Sequence, residues 1–238
     1  MLHHFIRPQF LKALLETRAF HLIRQDKQSD PDDGKLPAAC FADPHIGPLE
    51  NGLGLKRDFL ANQAHALAHL RRRTFIMSWT SEASDHMRQN YGESGSRCEL
   101  QTSELGLKSM LGYEWLRDQW GGVNEFPPRP EKVGEIHGAL AHAQLTEPVY
   151  TPGTAAIPVI PTYGATAHKH DRYSVESEIR IEAVVSPESL QLGGHDTLIR
   201  WPIKTFDGLR IGIGAKVESQ IGSEITALAA KLGISVHA

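Results

Sequence analysis

Cysteine is almost missing: the 238 residues hold only 2, Cys40 and Cys98. So few exclude a disulfide framework or a Cys-rich zinc site, and a chain this long forms a core without staples, so both are read as buried thiols. Net charge is equally scarce, with 25 Lys and Arg against 28 Asp and Glu. Overall electrostatics therefore gives no drive toward nucleic acid or an anionic membrane, and any polyanion must be met by a local patch. No stretch approaches the roughly 18 apolar residues of a spanning helix, and the opening MLHHFIRPQF lacks the apolar segment of a secretion signal. This pattern predicts a cytoplasmic chain with no membrane partner. Glycine-rich phosphate loops of Walker or Rossmann type are absent too, which argues against a P-loop hydrolase or a dehydrogenase. What remains is an ordinary globular composition, 40% hydrophobic and 22% charged, read as one domain over 1–238.

Periodicity orders the chain. Phe10, Leu11, Leu14 and Leu15 predict an amphipathic helix over 9–19 behind Pro8, and AFHLI, 19–23, a short strand. The segment 24–34 packs charge, Pro and Gly and reads as an exposed acidic loop. A helix is predicted over 55–73, ending in three arginines, and then an interior strand at 74–79 (TFIMSW). SEASDHMRQNYG suggests a helix capped by Ser81 or Ser84 and closed at Gly92. A strand at 96–102 and helical pieces over 104–120 follow. From about 121 to 161 the prolines cluster into an irregular insertion, with only EKVGEIHGALAHAQL suggesting a helix. YSVESEIRIEAVV, 173–185, alternates apolar and polar residues and predicts a strand with one polar face. TLIRWPI and LRIGIGAK read as strands, and 223–234 as a helix with Ser223 at its N-cap before a short terminal strand. Helices and strands mix without strict βαβ alternation, so the expected class is α+β: a central, partly antiparallel sheet flanked by helices.

Several polar groups invite chemistry. Glu176 and Glu178, two apart on a strand, would share a face roughly 7 Å apart, able to hold a ribose hydroxyl or a developing cation, or simply facing water beside Arg180. Ser78, Thr80 and Ser81 end an apolar strand, where hydroxyls can bind a ligand, hold a neighbouring catalytic group or cap a helix. Arg24 leaves a strand where a guanidinium can grip a phosphate. The 13 histidines raise a metal site. His65 and His69 have helical i, i+4 spacing, but no Glu follows His65 and no third ligand is evident, so no metal is expected. His168 and His170 flank Lys169 close to the carboxylates and fit a solvated loop or proton carriers. Asp26, Asp30, Asp32 and Asp33 can collect a divalent ion and, with Glu178 and Arg180, loosely match a metal-dependent nuclease that lacks its usual lysine.

Arg24, the hydroxyls at 78–81 and Glu176-Ser177-Glu178 follow the order of arginine, serine-threonine-serine and Glu-x-Glu elements, and in that pattern the chain resembles the R-S-E ADP-ribosyltransferases. The resemblance implies an ADP-ribosyltransferase-like fold with NAD as substrate. Arg24 would grip the pyrophosphate, Ser78 and Thr80 would steady the site, and Trp79 or Tyr91 would stack on nicotinamide. Glu176 would orient a macromolecular acceptor, and Glu178 would be the catalytic carboxylate at an oxocarbenium-like transition state. Chains of this kind are often toxins or defence effectors. HLIRQDKQSDPDDG, the block from TFIMSWTSEASDHMRQNYG to LQTSELGL, and DRYSVESEIRIEAVV are also similar to the bacterial domain of unknown function 2971 family. Arg24, Asp26, Asp30, Gly34, Trp79, Tyr91, Glu176, Glu178 and Arg180 stand at its motif positions, whereas Arg88 replaces a usual Trp and Asp33 a usual Glu. That family carries no assigned chemistry. A non-catalytic binding or adaptor domain is the other main expectation, with Arg24 paired to the acidic loop and Arg180 to Glu178. Space separates the readings: a pocket shared by Arg24 and Glu178 favours the enzyme, sealed ion pairs favour the adaptor, and Asp30 beside Glu178 favours the nuclease.

Overall fold

The computed structural model describes residues 1–28, 68–82, 84–117, 123–126, 140–151, 168–185 and 198–237. It is a mixed α and β structure built on one large sheet, in keeping with the α+β expectation. The chain opens with a strand the sequence pattern did not suggest, β1 (Leu2–Ile6), and turns into α1 (Pro8–Thr17). Pro8 presets the first helical φ. Leu11, Leu14 and Leu15 are buried at helical spacing, and Arg18 ends the helix in the left-handed region. Strands β2 (Ala19–Arg24) and β3 (Thr74–Thr80) follow. Between them only 68–73 of the helix predicted over 55–73 lies within the described residues; 68–71 is helical and 72–73 is a turn. The helix α2 (Asp85–Asn90) is capped by Ser84, whose side chain accepts from the Met87 amide, and β4 (Cys98–Thr102) and α3 (Glu104–Leu111) come next.

Four sequence expectations are corrected here. The helical reading of 104–120 stops at Gly112, which takes the left-handed C-cap conformation, and β5 (Glu114–Arg117) pairs with β6 (Val123–Phe126) instead. Of the helix suggested by EKVGEIHGALAHAQL only 140–145 lies within the described residues, and it is strand, β7 (Leu140–Thr146), followed by β8 (Val149–Thr151), which pairs in parallel with β9 (His168–His170). The predicted strand over 173–185 starts late: residues Asp171–Glu176 form a 3₁₀ turn, and β10 (Glu178–Val185) begins only after Ser177, whose φ is 42°. Then come β11 (Leu198–Pro202), β12 (Arg210–Ile213), α4 (Ser219–Lys231) and β13 (Ser235–His237). Ser223 is not the N-cap of α4; it lies inside the helix and donates to the Ser219 carbonyl.

The large sheet runs β11-β2-β3-β1-β4-β12-β13, with β10 also on β3 and β7 outside β10. All its pairings are antiparallel except β12 with β13. A strand has two edges, and β10 fills one edge of β3 from Thr74 to Thr80. The other edge is shared: β2 pairs at Phe75 and Ile76, and β1 at Thr80. The sheet therefore forks along β3, and the ladder is interrupted beside Met77, Ser78 and Trp79. His4 on β1 bridges part of the break, its Nδ1 donating to the Ser78 carbonyl at 2.7 Å.

One face of this sheet is the main core. Phe20 and Leu22, Phe75, Met77 and Trp79, and Ile181 and Ala183 are buried there with the leucines of α1 and with Ile225 and Ala229 of α4. Cys98 joins them as the expected buried thiol, and burial pushes its pKa up to about 11; Cys40 lies outside the described residues. The polar face of β10 departs from its water-facing reading: Glu178, Arg180 and Glu182 are all buried. Among the described residues no helix is long and apolar enough to cross a membrane.

Candidate functional site

The fork opens into a cavity of about 800 Å³, lined on one side by the end of β3 and the Glu176–Glu178 turn, and on the other by β1 and α1. Hydroxyls at the end of β3 build its polar wall. Thr80 Oγ1 donates to the Glu176 carbonyl at 2.6 Å, and the Ser81 amide to the Ser177 carbonyl at 2.9 Å. These bonds clamp the turn whose central residue, Ser177, sits at positive φ. Thr80 and Ser81 thus hold the backbone of the carboxylate turn, while helix capping falls to Ser84.

The clamped turn brings two carboxylates onto one ammonium. Lys169 Nζ lies 2.5 Å from Glu176 Oε2 and 2.7 Å from Glu178 Oε2, with all three side chains buried. Arg180, two residues along the same strand face, grips Glu178 in bidentate fashion through Nε at 2.7 Å and Nη2 at 3.3 Å. Tyr91 donates its hydroxyl to Glu176 Oε1. Burial alone would raise the Glu178 pKa, but the charges of Arg180 and Lys169 outweigh it and bring it down to about 2. For Lys169 burial again opposes the charge, and Glu178 with Glu176 reverses the balance, so its pKa is raised. The Tyr91 phenol is also pushed up, first by burial and then by its bond to Glu176, so it stays a donor. His4 is lowered to about 4, chiefly by burial against its bond to Ser78, and is neutral near pH 7.

Of the residues named from sequence, Ser78, Trp79, Thr80, Tyr91, Glu176 and Glu178 border this one cavity. Arg24 does not. It pairs with Phe75, while Glu178 pairs with Thr80, five residues further along β3 and about 17 Å away. The odd spacing also puts the two on opposite faces of the sheet. The Arg24 guanidinium is held by Asp26, with Nε 2.6 Å from Oδ1 and Nη2 3.3 Å from Oδ2. Trp79 is only 1% exposed, set between His4 and Phe20, so it forms wall rather than an open stacking surface. Tyr91 is the more accessible ring, 37% exposed.

Sequence reasoning missed the cations that do border the cavity, Lys169, Arg7, Arg97 and Lys27, and the imidazole of His3. Lys169 was visible only as the residue between two histidines; nothing in linear spacing says that the 3₁₀ turn folds it back onto carboxylates 7 and 9 residues later. His65, Asp30, Asp32 and Asp33 lie outside the described residues, so the nuclease geometry falls there too. Among the described residues no cluster of His, Cys, Asp and Glu could hold a metal ion. No protein-family model, curated protein or solved structure matches the chain.

Proposed function

We propose that the cavity binds a ribose-bearing dinucleotide of the NAD class and that the chain cleaves its N-glycosidic bond, transferring or hydrolysing ADP-ribose. One observation carries this: residues from three distant stretches, the β3 end, Tyr91 and the Glu176–Glu178 turn, meet around one cavity of about 800 Å³, within the range of small-molecule sites. Glu178, with its pKa near 2, is ionised at any working pH, so it serves as an anion beside a developing oxocarbenium and not as a proton donor. Tyr91, Glu176 and Lys169, bonded to one another, form the polar wall that a ribose would meet. The apolar wall of Ile23, Met77 and Phe10 suits a flat ring. The phosphate role assigned to Arg24 passes to Arg7 on the cavity wall, with Arg97, itself paired with Glu93, beside it.

A second reading, a binding domain without catalysis, is the one the spatial criterion drawn from sequence favours: Arg24 does not share the cavity with Glu178 and is paired with Asp26, and Glu178 is paired with Arg180 and Lys169. Calorimetry with NAD, combined with a nicotinamide-release assay on wild type, Glu178→Gln and Arg24→Gln, separates the two. The enzyme reading expects release that Glu178→Gln abolishes and Arg24→Gln leaves intact. Binding with no release assigns the chain to the second reading, and no binding at all refutes both as applied to NAD.

A further inference from the structure

Resting on the NAD reading above, we propose that His3, held by Glu99, is the general base that activates water, which makes the reaction hydrolysis. His3 borders the cavity from β1, across Thr80 from Glu178 in the sheet. Its Nδ1 lies 2.6 Å from Glu99 Oε1 on β4, with side-chain exposures of 12% and 16%. A carboxylate on Nδ1 fixes the ring and leaves Nε2 as the free nitrogen, the arrangement a base needs. Among the described residues Nε2 has no hydrogen-bond partner, nor is it one of the buried polar atoms left without one.

Register places this base against the carboxylates. His3 pairs with Thr80 across one edge of β3, and Glu178 pairs with the same Thr80 across the other. Residues directly opposite in antiparallel pairs share a face, so imidazole and carboxylate rise from the same side. Their Cα atoms stand about 10 Å apart, two steps of roughly 5 Å. A ribose over Thr80 would have Glu178 on one side and a water on His3 on the other.

The step balances. Water oxygen bonds to ribose C1′ as the C1′–N bond breaks. The bonding pair returns to the ring nitrogen, releasing neutral nicotinamide, and the water proton passes to His3 Nε2 and then to solvent. Tyr91 and Lys169 do not compete for this role, since each is engaged with a carboxylate and held protonated.

The test measures nicotinamide and ADP-ribose release from NAD by the full chain as wild type, His3→Ala and Glu99→Gln, with and without added imidazole. The proposal expects kcat to fall by roughly 100-fold or more in His3→Ala with KM unchanged. Imidazole would restore part of the loss, and Glu99→Gln would show a smaller fall that imidazole does not repair. Release by His3→Ala at the wild-type rate overturns the base assignment and leaves the NAD reading standing. So does a loss that imidazole cannot recover in a variant that still melts like wild type. Wild type that binds NAD without releasing nicotinamide, or does not bind it, overturns the parent reading and the base with it.

Discussion

Removing the shared ammonium should cost more than any surface ion pair could. Lys169→Met keeps the length and apolar body of the side chain but deletes the charge that Glu176 and Glu178 contact at 2.5 and 2.7 Å. Side-chain exposures of 8%, 9% and 3% leave water little room to take its place. Exposed pairs are worth about 0–1 kcal/mol, whereas removing one partner of a buried pair costs about 3–5 kcal/mol because the remaining charge is stranded. The second range applies. For a chain of this size it corresponds to a fall of about 6–20 °C in Tm.

The penalty should also depend on pH. In the variant the stranded carboxylate binds a proton more readily than in the unfolded chain, so its folded pKa lies above the unfolded one and the variant regains stability as pH falls. Urea denaturation at pH 7 and pH 5 measures this directly, with the m-value checking that the transition is unchanged. Adding Glu176→Gln removes the stranded charge and should recover much of the loss at pH 7. A loss below about 1 kcal/mol at pH 7, or one that grows on acidification, would refute the reasoning.

Glu178 sets an acid limit of the opposite sign. Its folded pKa of about 2 lies below the ordinary 4.5, so its contribution is complete above pH 4.5 and is lost as pH falls toward 2. The stability gap between wild type and Glu178→Gln should therefore narrow between pH 5 and pH 3 in denaturant titrations. Gly214→Ala should destabilise by about 1–3 kcal/mol or more, the range for overpacking. Its new Cβ would lie 2.2 Å from the Gly95 carbonyl oxygen and 2.4 Å from that of Arg97, backbone atoms that cannot move aside as a side chain can. Thermal melting checks it, and an unchanged Tm would mean that this loop yields.

Local periodicity carried much of the sequence reading. The leucines of α1, the β-branched and aromatic run of β3 and the Ser84 cap each encode their element within a few residues, and each formed. β7 failed because Ala and Leu are good helix formers, and only a partner strand decides otherwise. In the β7–β10 register Ala143 pairs with Ala183 and Leu145 with Ile181, a pairing no local window contains. Alternation in β10 was real but could not say what covers the polar face, and period two started five residues too early because no residue type announces the kink at Ser177. That kink changes the chemistry. On a regular strand Glu176 and Glu178 would stand as parallel posts, whereas the turn folds them onto a common lysine.

Arg24 shows a different limit. The order of motifs correctly named β3, its terminal hydroxyls and the carboxylate turn as neighbours, yet the guanidinium sits on the other face of the sheet. Parity along β2 is the cause: Ile23 pairs with Ile76, on the face shared by Ser78, Thr80 and Glu178, and Arg24 pairs with Phe75, on the face of the helical core. A shift of one residue reverses every side chain of a strand, so a motif read only as a sequence of residue types leaves its face undetermined. Had the arginine stood at 23 it would border the cavity as Ile23 does. Two of the cations on the wall instead enter from elements whose position depends on the fork itself. Arg7 follows β1, Arg97 precedes β4, and both strands belong to the branch that leaves β3 at Thr80. A near-neutral chain meets its need for local positive charge by tertiary placement, and no run of basic residues is required to mark the place.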